Sequence, residues 1–81
     1  MSLEHSEVPL YRQLADLLRG QIESGELPPG RPIPSKRTLR ERFNVAGQTV
    51  DKATGLLKAE GLIRTTPGLG LFVVPESERP G

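Results

Sequence analysis

The 81-residue chain has no cysteine and no tryptophan, a single histidine, one tyrosine and two phenylalanines. Without cysteine there is no disulfide scaffold and no thiolate metal site. One histidine is too few for a histidine-based zinc site. No apolar run approaches the roughly 20 residues that a membrane-spanning helix needs. The start, Met1-Ser2-Leu3-Glu4-His5, lacks a basic stretch followed by an apolar one, so nothing reads as a secretory signal. No nucleophile–base pair, metal-ligating cluster or phosphate-cradling loop is visible, so neither catalysis nor a cofactor is expected. These absences point to a cytoplasmic protein with no membrane partner.

What is present is enough for one small domain. A chain of this length buries only about 60–65% of the surface its unfolded form exposes. With aromatics at 4%, leucine, isoleucine and valine must supply the core. The net charge of +1 conceals an asymmetry. Residues 31–64 carry eight basic side chains (Arg31, Lys36, Arg37, Arg40, Arg42, Lys52, Lys58, Arg64) against Glu41, Asp51 and Glu60, a net +5. The remainder has three basic and seven acidic residues, a net −4. A polyanionic partner for the basic half is one reading, and a solvated charged surface is the other.

Residues 1–8 are polar and aperiodic, as expected of a loose tail. Leu10, Tyr11, Leu14, Leu17, Leu18 and Ile22 then recur at steps of three and four, which predicts a helix over about Leu10 to Ser24. Pro9 suits its start and Gly25 its stop. Four prolines between Leu27 and Pro34 exclude helix and impose an extended or turning path. Ser35 is an N-cap candidate for a second helix, about Lys36 to Phe43, with Leu39 and Phe43 inward. Asn44 can take a left-handed turn. A third helix is expected over about Gln48 to Glu60, with Val50, Ala53, Leu56 and Leu57 inside and Gly61 as its stop. Gly55 within it is unfavourable by about 1 kcal/mol relative to Ala, which suggests a close approach of another backbone.

After Gly61 the period becomes extended. Leu62-Ile63-Arg64-Thr65-Thr66 and Leu71-Phe72-Val73-Val74 read as strands joined by Pro67-Gly68-Leu69-Gly70, a hairpin. The segment 75–81 reads as a flexible tail or linker. The fold class is therefore mainly α with a small β-hairpin. Two helices joined by a tight turn and followed by a hairpin make a winged helix-turn-helix over residues 9–74. Such a unit places its second turn-joined helix in the major groove of DNA. Because the basic segment coincides with these elements, the nucleic-acid reading gains over the solvated surface.

Pro9-Leu10-Tyr11-Arg12-Gln13-Leu14, Gly25-Glu26-Leu27-Pro28-Pro29-Gly30 and Ile33-Pro34-Ser35 resemble the start of the DNA-binding domain of the GntR family. Leu39, Arg42-Phe43-Asn44-Val45, Thr49-Val50, Leu57, Glu60-Gly61-Leu62-Ile63-Arg64, Gly68, Gly70 and Phe72-Val73 continue the likeness, which spans roughly residues 8–74. The resemblance implies a bacterial winged-helix transcriptional regulator that binds operator DNA as a homodimer on an inverted repeat. Arg37 and Thr49 match positions that commonly contact DNA in the family, and Gly68 matches the wing-tip glycine. The departures are Gly47 and Asp51 where arginines are usual, Ala46 where a serine or threonine is usual, and Leu69 where a basic residue is frequent.

The candidate DNA-contacting residues are Arg37, Gln48, Thr49, Lys52 and Gly68, with Ser35, Arg40 and Gly47. Gln48 can pair with adenine, and Thr49 can touch a thymine methyl or a phosphate. Lys52 can reach phosphate from the next turn, whereas Lys58 reads as a solvated residue. Asp51 repels phosphate but can accept from a cytosine amino group. A competing reading is a winged helix used for protein association, with weak or non-specific DNA binding. The apolar Leu69 and Leu71 near the wing tip fit it. A small-molecule effector is expected only if a further C-terminal domain belongs to the protein. Replacing Gln48→Ala should abolish base preference at one operator position, read by competition between duplexes differing at that pair. An unchanged preference would defeat the assignment.

Overall fold

The computed structural model describes residues 7–79, so most of the expected N-terminal tail lies outside the described residues, as do the last two of the chain. Helix α1 spans Leu10–Ser24 and buries Leu14, Ala15, Leu18 and Ile22, one stripe at helical spacing. The Pro9 carbonyl receives the Arg12 and Gln13 amides, so the proline stands one position before the helix and not inside it. Gly25 closes α1 at φ 90°, a left-handed conformation that glycine adopts without a Cβ penalty.

Helix α2, Lys36–Phe43, begins at Ser35, whose hydroxyl oxygen accepts the Thr38 amide at 3.1 Å. The same hydroxyl donates to the Thr38 hydroxyl at 2.9 Å, a second local tie where a capping-box glutamate is missing. Asn44 ends α2 at φ 53°, ψ 51°. Helix α3 spans Gly47–Ala59, one residue earlier at each end than expected. Its buried face is Val50, Ala53, Thr54 and Leu57, while Leu56 packs half-buried at the edge. Thr54 is the polar member of this face, and its hydroxyl donates to the Val50 carbonyl at 3.0 Å, which removes the penalty of burying it. At the end of α3 the Leu62 amide reaches back to the Leu57 carbonyl at 3.0 Å, and Gly61 takes φ 77°.

Strands β1 (Ile63–Thr66) and β2 (Gly70–Val73) pair antiparallel, with Ile63 opposite Val73 and Thr66 opposite Gly70. The turn is thus three residues, Pro67-Gly68-Leu69, because Gly70 is already in the ladder. The proline-rich segment joins the other edge of β2. The Ile33 amide donates to the Leu71 carbonyl and the Val73 amide to the Arg31 carbonyl, each at 2.9 Å, with Pro32 opposite Phe72. Proline is compatible there because it occupies an outer edge, where no donor is needed on its far side. In the segment expected to be flexible, Glu76–Glu78 form a turn of 3-10 helix. Arg79 Nε donates to the Val74 carbonyl at 3.1 Å, and Arg64 faces Glu78 at 3.6 Å.

One expectation fails. A Cβ at Gly55 would meet nothing within 4 Å, and the residue is exposed. Gly55 lies on the outer face of α3, so among the described residues no backbone approaches it.

Core side chains from all three helices and both strands form one cluster, with Leu14, Leu18, Leu39, Leu57 and Ile63 almost wholly buried. At its rim Arg19 of α1 clamps the C-cap of α3. Its Nε and Nη2 donate to the two Glu60 oxygens at 2.7 and 2.6 Å, and Nη1 donates to Asp16 at 2.6 Å. The bidentate guanidinium holds the Glu60 carboxyl below the usual carboxylate range, mainly by direct hydrogen bonding. A depressed carboxyl pKa stabilises the fold at neutral pH, and that contribution is lost as pH falls through the carboxylate range. Because the pair is partly solvent-accessible, Glu60→Gln should destabilise the domain at pH 7 by about 0.5–1 kcal/mol. Chemical denaturation of both proteins should show the difference shrinking below about pH 4. A gap independent of pH would contradict this origin.

Candidate nucleic-acid interface

The inner faces of the helices are used up by the core, so the outer face of α3 is the exposed helical surface next to the α2–α3 turn. Gln48, Asp51, Lys52 and Gly55 lie on it in solvent, with Gly47 and Thr49 half-buried at its first turn. The geometry of a helix places Gln48, Asp51 or Lys52, and Gly55 above one another. This face is bracketed on both sides. Toward α1, Lys52 Nζ stands 5.7 Å from the centroid of the Tyr11 ring, a cation–π arrangement that orients the ammonium without neutralising it. Toward α2, Asp51 Oδ2 receives Lys36 Nζ at 3.0 Å.

Arg37 projects from the first turn of α2 with 87% of its side chain exposed, and Nε donates to Glu41 at 3.1 Å along the same helix. Such an exposed pair is weak and readily exchanged for a phosphate. Arg40 is exposed and makes no ion pair among the described residues, as is Arg42. Arg37, Arg40, Glu41, Asn44 and Val45 line an open polar groove beside the turn. Ser35, in contrast, has its hydroxyl engaged in capping α2.

The wing flanks the Asp51 side of α3. A shallow groove there runs between Lys36, Asp51 and Lys58 of the helices and Thr65, Gly70 and Leu71 of the hairpin. Gly68 takes φ 77° at the wing tip, which permits the tight turn, and nothing lies within 4 Å of where its Cβ would be. Leu69 beside it is 68% exposed, while Leu71 is half-buried against the core.

Arg37, Arg40, Gly47, Gln48, Thr49 and Lys52 are thus gathered around the α2–α3 turn, Ser35 is a cap, and Gly68 is at the wing. Lys36 was missed by sequence reasoning. It belongs to the basic segment, but its position across α3 depends on a contact between residues 15 apart, which no local pattern signals. Thr49 makes no side-chain hydrogen bond among the described residues, whereas the Thr54 hydroxyl on the same helix is held by the Val50 and Asp51 carbonyls.

The sequence profile described as "Bacterial regulatory proteins, gntR family" matches residues 10–73. The chain is 40% identical over 70 residues to the HTH-type transcriptional repressor NagR of Bacillus subtilis, covering 86% of this chain and 29% of that protein. It is 40% identical over 68 residues to the mannosyl-D-glycerate transport/metabolism system repressor MngR of Escherichia coli, covering 84% and 28%. Among solved structures, AraR(DBD) in complex with operator ORX1 superposes with a TM-score of 0.86 at 29% identity, over 91% of this chain and 95% of that one. YtrA of Sulfolobus acidocaldarius, a GntR-family transcription factor, superposes with a TM-score of 0.80 at 38% identity, over 89% and 76%. The chain spans less than a third of the length of the two curated relatives it matches here.

The N-cap of α3 is Ala46, which has no side chain able to receive the first-turn amides. An N-cap serine in place of alanine contributes about 0.5–2 kcal/mol in comparable helices. Ala46→Ser should therefore raise the thermal midpoint by several degrees, with about 4–8 °C per kcal/mol for a domain of this size. A lowered midpoint would show that position 46 is not the cap.

Proposed function

The chain belongs to the gntR family of bacterial regulatory proteins, and from that premise we propose that it regulates transcription by binding operator DNA. In this reading α3 enters the major groove, where Gln48 and Thr49 meet base edges. Arg37, Arg40 and Lys52 engage phosphates on either side, and the wing at Gly68 lies along the flanking backbone. The observation that carries the reading is the likeness, over nearly the whole chain, to a domain solved in complex with its operator. The charge pattern supports it, since the net +5 of residues 31–64 falls on the elements that would face DNA.

One such unit presents one recognition helix and reads one half-site. A homodimer on an inverted repeat, with half-sites about one helical turn apart, supplies the second. The binding role needs neither a cofactor nor a catalytic group, and it places the protein in the cytoplasm with the nucleoid.

Selection from a randomised duplex pool by the 81-residue chain, at low and then physiological salt, tests this directly. An enriched inverted repeat is expected. Affinity should fall steeply with salt, by about 0.9 in log–log slope per neutralised phosphate. Arg37→Ala and Lys52→Ala should each reduce that slope by about 1 without altering base preference. No retention at low salt would favour protein association, to which the exposed Leu69 would then belong.

A further inference from the structure

We propose that Lys36 and Asp51 form a single reading unit that selects a C·G base pair in the major groove, next to the base read by Gln48. This rests on the DNA-binding reading above and adds to it a residue, Lys36, and a base identity.

Three observations carry it. Asp51 stands three residues after Gln48 on the exposed face of α3, so both side chains project from the same side of the helix. Lys36 reaches that face from α2, with Nζ 3.0 Å from Asp51 Oδ2. Its path runs close over the first turn of α3 at Gly47. A Cβ there would meet Lys36 Cε at 3.0 Å and Nζ at 3.5 Å. The bare backbone at Gly47 therefore lets the lysine stem lie against α3, where any larger residue would have to push it aside.

The pair leaves 53% and 62% of its two side chains exposed, and ion pairs this open contribute little to folding. Its chemistry is specific nonetheless. An ammonium carries three donors and a carboxylate only acceptors, here held side by side. A C·G base pair displays the complement in the major groove: the guanine N7 and O6 acceptors beside the cytosine N4 donor. Lysine to guanine and aspartate to cytosine are each favoured pairings, and one base pair can satisfy both. An A·T pair in the same orientation as to its amino and keto groups offers the ammonium one acceptor and a methyl group in place of two acceptors.

The pair also removes an electrostatic difficulty. A lone carboxylate on this face would repel the phosphates, whereas Lys36 cancels its charge. The unit therefore contributes to base choice and not to the salt-dependent attraction.

The test is base preference at each position, determined by selection from a randomised duplex pool with the 81-residue chain and three variants. The wild-type motif should contain a C·G position beside the adenine position of Gln48, preferred by about 5- to 150-fold over the other pairs. Asp51→Asn and Lys36→Met should each flatten that position and leave the adenine position intact. Asp51→Asn should also tighten binding to random duplex, since it frees a cation. The double reversal Lys36→Asp with Asp51→Lys keeps an ion pair between α2 and α3, so its thermal midpoint should match the wild type. Its C·G preference should be lost or inverted, which a purely structural pair would not produce. A motif whose C·G position is absent, or persists in both single variants, overturns this proposal and leaves the DNA reading standing. No retention of any duplex at low salt overturns both.

Discussion

The packing of α1 against α3 is the contact on which the rest of the molecule depends. Leu14, Leu18 and Ile22 on one helix meet Val50, Ala53 and Leu57 on the other, and these side chains are nearly all inaccessible to water. In a chain with so few aromatics, the aliphatic stripe of each helix must be spent on this interior. Arg19 and Glu60 then fix the two helices at the rim, where bidentate geometry sets direction more than energy. Helix α2 completes the arrangement through Leu39 and Phe43, and the left-handed Asn44 aims it across α3. Once these inner faces are buried, the outer face of α3 is left free, and it is this residue-poor surface that binding can use.

The wing is held by a similar economy. Strand β2 is paired on both edges, by β1 and by the stretch around Pro32. Ile33 and Val73 enter the core from this small sheet, which ties the hairpin base to the helices and leaves only its tip in solvent. The same ladder anchors the proline-rich segment that leads into α2. A shift of the wing would therefore be felt at Ser35 and Lys36, so hairpin and α2 are coupled through backbone hydrogen bonds.

Much of this was legible in the residues because it is local. The helical period placed α1 and α2 to the residue, since Gly25 and Asn44 mark their ends by backbone conformations that few residues adopt easily. The change of period after Gly61 located the hairpin. What was not legible depends on pairs distant in sequence. The edge pairing of Arg31 and Ile33 with β2 is hidden because prolines argue against a strand, and only the register reveals that they sit on its outer edge. Gly55 was expected to meet another backbone, yet it faces solvent, because local propensity reports the unfavourable choice and not its reason. Lys36 was legible as part of a basic cluster but not as the partner of Asp51. The gathering of Arg37, Gln48, Thr49 and Lys52 around one turn follows from the topology, whereas what each one touches on DNA does not.

In the proposed mode of binding, the outer face of α3, flanked by the start of α2 and the wing tip, is the surface that meets DNA. Titration of isotope-labelled protein with duplex DNA at low salt, followed by backbone amide NMR, tests it most directly. Shift changes should concentrate at residues 36–40, 46–52 and 67–70, with the amides around Asp16 and Glu23 on the far side of α1 unmoved. Changes centred on α1 or on the 3-10 turn at Glu76–Glu78, with α3 silent, would contradict it.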